Sequence, residues 1–265
     1  MEKVRKAAVS GTFYSDNPLE LKRSVQGFIG QGKVVRKFPK AVIVPHAGYI
    51  YSGKTAGVIY ALLKEAVGRV RRVVLVGPAH RVAVSGIAAS DHAFFETPLG
   101  RMKVDRSAVE QVLTLPYAIT SDEAHQEEHC LEVQLPFLQE VFGEISIVPL
   151  LAGQLTPVQM AEVFELLNGE DTIFVVSSDL SHFLDYESAL AIDTETSEAI
   201  QGLAYEELKG AQACGAIPIK GLLYFARKHG FEAELVELTN SGETTGDYNR
   251  VVGYGGYAFY EPNEQ

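Results

Sequence analysis

Thr172-Ile173-Phe174-Val175-Val176-Ser177-Ser178-Asp179-Leu180-Ser181-His182 runs from an apolar stretch through a polar turn to a histidine. A continuous, β-branched run of this length suits a strand covered on both faces, as in a parallel sheet. The same order occurs twice more. Ala41-Val42-Ile43-Val44-Pro45 leads into His46, and Val73-Val74-Leu75-Val76-Gly77-Pro78-Ala79 leads into His80. Ligands of open α/β sheets bind beyond the carboxyl ends of the strands, where connecting loops converge. One histidine in such a place reads as a turn residue bonded to backbone. Three point to a shared cleft.

Outward from these runs, strand-like and helical patterns alternate. Strands are expected at 41–45, 72–76, 85–89, 145–150, 172–177, 234–238 and 251–260. Helices are expected at 19–29, 55–66, 107–113, 131–142, 157–167, 188–202 and 217–228. The alternation predicts an α/β fold of three layers, α/β/α, around a mostly parallel central sheet. No internal repeat, low-complexity tract or Gly/Ser linker interrupts it, so residues 1–265 read as a single domain.

At 265 residues and 46% hydrophobic content, the chain can bury a large core. A domain of this size buries roughly 70–75% of its unfolded surface, so folding alone needs no metal or disulfide. The net charge of -11, with no basic run against it, argues against nucleic acid or an anionic membrane as a partner. Cys130 and Cys214 are too few for a secreted disulfide framework. No apolar run approaches the ~20 residues that span a bilayer. The expectation is a cytoplasmic protein.

Cys214 lies in Ala213-Cys214-Gly215-Ala216-Ile217-Pro218, ahead of the expected helix at 217–228. A thiol near a helix start should ionise more easily, and the thiolate is the form that binds metal. A small buried hydrophobe is the equal alternative. His125-Gln126-Glu127-Glu128-His129 matches the inverted zincin pattern H-x-x-E-H. That chemistry needs one helix through both histidines, and the loop-like Thr120-Ser121-Asp122-Glu123 ahead of them speaks against it. Glu128, His129 and Glu132 read instead as residues that line or buttress the cleft, and His125 as a solvated loop residue. Tyr49, Tyr51, Phe13, Tyr14 and Phe183 are aromatic candidates for the cleft wall, at least half of them for the core.

Six motifs, in order along nearly the whole chain, resemble the Memo family. They are Gly11-Thr12-Phe13-Tyr14, Pro45-His46-Ala47-Gly48-Tyr49, Gly77-Pro78-Ala79-His80, Glu128-His129-Cys130-Leu131-Glu132, Ser177-Ser178-Asp179-Leu180-Ser181-His182 and Cys214-Gly215-Ala216-Ile217-Pro218-Ile219. Prokaryotic members are called protein B of the AmmeMemoRadiSam system. The resemblance implies the fold of the class III extradiol dioxygenases. It implies one metal ion, iron or copper with zinc as a third option, bound by His46, His80 and Cys214. His182 would be the catalytic histidine, with Asp179 beside it. A thiolate where the dioxygenases use a carboxylate implies weak or absent cleavage of simple catechols. The partners implied are a small molecule or peptide in the cleft, and a link to radical-SAM and AMMECR1-like proteins. Two functions follow. One is a metal-dependent redox enzyme of dioxygenase-like type; the other is a non-catalytic module that binds a peptide or a modified amino acid. His182 should project from the loop or helix start beyond its strand, with one ring nitrogen bonded to Asp179.

Overall fold

Ile173, Phe174, Val175 and Val176 have no exposed surface, which puts their strand in the middle of a sheet with both faces covered. The structure is a computed structural model that describes residues 2–33 and 37–262. The ends of the expected 1–265 domain, Met1 and residues 263–265, lie outside the described residues. The described strands are β1 (Val4–Arg5), β2 (Ala41–Val44), β3 (Arg72–Pro78), β4 (Ile87–Ala89), β5 (Phe94–Thr97) and β6 (Gly100–Val104). They continue as β7 (Ala118–Thr120), β8 (Ser146–Ala152), β9 (Thr172–Ser177), β10 (His182–Leu184), β11 (Glu232–Asn240) and β12 (Val251–Tyr260). The hydrogen-bonded order is β1-β5-β6-β8-β3-β9-β2-β12, with β10 and β11 both on β12 and β4 linking β8 to β7.

The central strands β6, β8, β3, β9 and β2 run parallel. Antiparallel partners close the edges: β12 on β2, and β5 on β6. The α/β fold and the mostly parallel sheet expected from the sequence are thus both present.

The helices are α1 (Pro18–Ile29), α2 (Tyr49–Ala61), α3 (Arg106–Val112), α4 (Asp122–Gln126), α5 (Leu135–Phe142), α6 (Pro157–Leu167), α7 (Tyr186–Gln201), α8 (Ala216–Lys228) and α9 (Ser241–Thr245). On one face α1, α2 and α5 pack together, with the Tyr60 ring stacked on Phe137 at 5.0 Å. On the other face α6 and α8 pack through Phe164, Phe174 and Phe225. Strand alternation in β12 separates the two layers. Gly256 faces Ile59 of α2, while the Tyr257 hydroxyl meets Ser197 of α7. No helix among the described residues is long and apolar enough to cross a membrane.

Several boundaries differ from the sequence reading. Helix α2 starts at Tyr49, six residues before the expected 55, directly after the first histidine turn. The expected helix at 131–142 is a 3-10 turn, Glu132–Gln134, followed by α5. Strands β5 and β6 form a polar edge hairpin with no apolar run to announce it.

One arrangement positions the site. Strands β3, β9 and β2 are sheet neighbours and parallel, so the turns carrying His80, Asp179 and His46 leave side by side. Because β12 is antiparallel to β2, its first residues and the attached β10 reach the same end.

Candidate metal centre

His46 is 2% exposed and tied to the neighbouring turn by its backbone N–H, which donates to Asp179 Oδ1 at 2.7 Å. Its Nδ1 lies 3.0 Å from Ser177 Oγ. That hydroxyl donates its one proton to the Cys130 carbonyl at 2.6 Å and accepts from Gln134 Nε2 at 2.9 Å. The remaining lone pair can only accept, so His46 Nδ1 carries the proton and Nε2 keeps a free lone pair. Burial, reinforced by His129 and His80, holds His46 well below the usual histidine range and therefore neutral.

His80 is prepared in the same way by a different partner. Glu128 Oε1 lies 2.9 Å from His80 Nδ1, and the carboxylate accepts backbone N–H groups from His80 (2.6 Å), His129 (3.0 Å) and Cys130 (3.2 Å). Burial alone would raise the Glu128 carboxyl, but the imidazoles of His129 and His80 and these donors hold it well below the carboxylate range. An ionised Glu128 takes the Nδ1 proton of His80 and leaves Nε2 open, the usual arrangement behind a metal-binding histidine.

His129 stands third. Its Nδ1 is 3.1 Å from Glu128 Oε1 but is buried without an aligned hydrogen bond. One nitrogen from each of His46, His80 and His129 falls within 4.8 Å of the others. The rings meet at centroid distances of 5.2 Å (His46–His80), 5.3 Å (His46–His129) and 4.9 Å (His80–His129).

Cys214 Sγ lies 3.2 Å from His46 Nε2 and accepts the Asp179 N–H at 3.3 Å. The sequence reading expected the start of α8 to ease ionisation of this thiol. The opposite holds: burial pushes it up to about 12, and the Asp179 carboxylate adds to the shift. Only a cation beside Sγ would hold the thiolate here. Cys130 forms a second group with His80 and Glu128, within the same 4.8 Å limit. It is the poorer one, because its thiol donates to the Pro78 carbonyl at 3.2 Å and Glu128 is already saturated by N–H donors. Imidazole lone pairs, a half-buried thiol and a buried anion make a donor set that fits a borderline or soft metal ion.

A cavity of about 520 Å³ opens onto this cluster, with His129, Asp179 and His182 on its wall beside Phe13, Tyr51 and Phe183. His182 does not project from a loop or helix start. It begins β10 and pairs with Val252, because the chain after Asp179 is captured by β12. Asp179, buried and pushed up to about 6 by desolvation, spends Oδ1 on His46 N–H; the expected hydrogen bond to His182 is not formed.

Two further expectations need correction, and a third resolves into one of its two alternatives. Tyr49 does not line the cleft: it is buried and its hydroxyl donates to the Val133 carbonyl at 2.7 Å, while its neighbour Tyr51 takes the wall position. Glu132 buttresses rather than lines. Its carboxylate, with no exposed surface, accepts from Arg5 Nη1, Ala8 N, Val9 N and Tyr14 Oη. His125 is 1% exposed, not solvated, with Nε2 3.0 Å from the Ala88 carbonyl. Helix α4 ends at Gln126, so the zincin geometry does not form.

Behind His182, Asp193 Oδ1 accepts the Ser181 N–H at 3.0 Å, and burial pushes its carboxyl up to about 6. Protonated Asp193 therefore stabilises the fold fully below about 3.8 and loses that contribution as pH rises through about 6. Asp193→Asn should match the parent at pH 4 and exceed it at pH 7, by at most about 3 kcal/mol for a shift of this size. Denaturant melts at the two pH values check this; equal stability differences at both would refute it.

The comparisons agree on family. The sequence pattern of the "Memo-like protein" family matches residues 5–258. A MEMO1 family protein of Aquifex aeolicus is 38% identical over 270 residues, covering 97% of this chain and 99% of its own length. One from Ignicoccus hospitalis is 35% identical over 284 residues, covering 98% of this chain and 99% of its own. The crystal structure of the uncharacterized protein JW3007 from Escherichia coli K12 shares the fold, with a TM-score of 0.52 at 13% identity. It covers 84% of this chain and 100% of its own. With a pattern match spanning nearly all of its length and relatives that align from end to end, this chain belongs to the Memo-like protein family.

Proposed function

We propose that the protein binds one iron or copper ion, with zinc as the redox-inactive alternative, between His46 Nε2, His80 Nε2 and Cys214 Sγ, and that it works as a metal-dependent redox enzyme. The observation that carries this reading is the paired preparation of two histidines. Ser177 and Glu128 each accept a hydrogen bond from an Nδ1–H, which leaves the lone pair of each ring on Nε2. Bound iron or copper would supply one-electron chemistry and Lewis acidity; zinc would supply only the second. Glu128 offsets the ion's charge from behind the ligands. His182, on the cavity wall, would hold or release a proton at a ring nitrogen without touching the ion. No nucleic acid or membrane partner is proposed. The partners are a small molecule or peptide in the cavity, and radical-SAM and AMMECR1-like proteins.

The histidine cluster favours one rival ligand set, with His129 in the place of Cys214. The two differ in an elemental analysis. Cys214→Ala should lower bound iron or copper by 10-fold or more, on the order of losing one metal ligand. His129→Ala should leave it near the parent level; the reverse pattern would install the three-histidine set. The second functional reading, a non-catalytic binding module, rests on the width of the cavity. It would prevail if the metal-loaded protein bound ligands but consumed no oxygen or reductant with any.

A further inference from the structure

The open end of the cavity carries a pairing that the metal-centred reading leaves unused. Phe183 follows His182 with φ of +59°, one of two non-glycine residues in the left-handed region among the described residues, and it is 60% exposed. A strained backbone that presents a phenyl ring to solvent gains nothing from core packing. Over this ring lies the Arg250 guanidinium, 5.0 Å from the centroid. Arg250 is the one arginine or lysine on the cavity wall among the described residues, beside His129 and His182. Among the described residues it forms no ion pair, in a chain of net charge -11. Asp247 on the same wall directs Oδ1 to the backbone and side-chain N–H of Asn249.

We infer that Phe183 and Arg250 form a recognition lip for a planar ligand bearing a carboxylate at the end remote from the metal. This rests on the metal-centred reading above and names the ligand class for the same site. The planar guanidinium presents a fork that a carboxylate fills with two hydrogen bonds, and the phenyl face accepts a flat π system. A phosphate is less well matched. A dianion calls for a second permanent cation, whereas the wall adds Asp179 and Asp247 and, of basic groups, only the histidines His129 and His182. The start of α9 is also closed to it, because Asn240 Oδ1 already accepts the Gly242 N–H at 2.9 Å. The ligand is thus bifunctional. One end donates to the metal near His46 and His80, and the other end is an oxyanion held at the rim.

Titration calorimetry with a matched set of probes tests this: benzohydroxamic acid, its 4-carboxy derivative and its 4-phosphono derivative, on iron- or copper-loaded protein. The carboxylated probe should bind about 10-fold more tightly than the parent, and the phosphono probe should gain less. Arg250→Gln should abolish the carboxylate gain while leaving metal content and parent-probe affinity unchanged. Phe183→Ala should weaken all three probes. A carboxylate gain that survives in Arg250→Gln, or no gain at all, overturns the lip; a larger gain for the phosphono probe replaces the carboxylate with phosphate. Failure of the parent probe to bind would instead count against the metal reading. In that case benzoate added to the metal-free protein still tests the lip. It should shift the Arg250 Nε–H resonance, and an unmoved resonance overturns the inference.

Discussion

His46→Ala is expected to abolish metal binding, while His182→Ala is expected to keep the metal and lose the chemistry. The two histidines follow neighbouring strands but sit in different surroundings. His46 is buried, its Nδ1 proton fixed by Ser177, and its free Nε2 already lies 3.2 Å from Cys214 Sγ. On the proposed assignment deleting it would remove a ligand, and the loss should exceed the roughly 10–100-fold that follows removal of a mere ligand-orienting partner. His182 is on an exposed strand at the cavity wall and forms no hydrogen bond with Asp179. Its removal should cost about 10²–10⁴-fold in turnover, the usual worth of a general acid or base. Metal analysis of both variants, with oxygen uptake measured alongside, separates the two roles. If His182→Ala loses metal as completely as His46→Ala, the division between ligand and proton carrier is wrong.

Arg5→Met should be the most damaging single change away from the metal. Arg5 is 2% exposed, and its guanidinium pairs with Glu132 while donating to the carbonyls of His125 (3.0 Å) and Glu128 (2.6 Å). Replacing it strands the Glu132 carboxylate, itself fully buried, without its cation. Breaking such a pair from one side costs about 3–5 kcal/mol. For a domain of this size each kcal/mol moves Tm by roughly 2–4 °C, so a drop on the order of 10 °C is expected in calorimetry. Glu132→Gln added to Arg5→Met should recover part of the loss, because no unpaired charge then remains buried. A fall of under about 1 kcal/mol for Arg5→Met would show that water screens the pair despite its burial.

How much of this the sequence announced depended on the kind of signal. Strands β9 and β12 were read to the residue, and β2, β3 and β8 to within two, because continuous apolar runs have few other homes. The start of α2 was missed because Tyr49-Ile50-Tyr51 and Gly53 are poor helix formers. The glycines are there for packing: a Cβ at Gly53 would come within 2.7 Å of the Phe28 ring. His46, His80 and Cys214 were singled out as strand-end and helix-start residues; the His46 ring lies 5.2 Å from that of His80, and its Nε2 lies 3.2 Å from Cys214 Sγ. His129 was read as a cleft residue but not as a ligand, since the H-x-x-E-H pattern invited a test for a helix and the answer was a turn held by Glu128. The adjacent glutamate was the available clue, as its carboxylate lies within 3.1 Å of both His80 and His129. Arg5 gave no sign at all; an arginine in a run of charges reads as solvated, and only the fold supplies its buried partner.

The same Arg5 sets a clock. Its partner in the ion pair lies 127 residues further along the chain. At the ribosome's pace of about 5–20 residues per second, β1 emerges and waits roughly 6–25 s before Glu132 exists. During that interval its sheet partner among the described residues, β5, offers two paired residues, too short a ladder to hold it. The segment made early therefore cannot dock until residue 132 has been made, and the turn bearing Glu128 and His129 is clamped only when it does. Uptake of an ion would need at least that length of chain, and nascent chains carrying His46 and His80 alone should pass without taking one up.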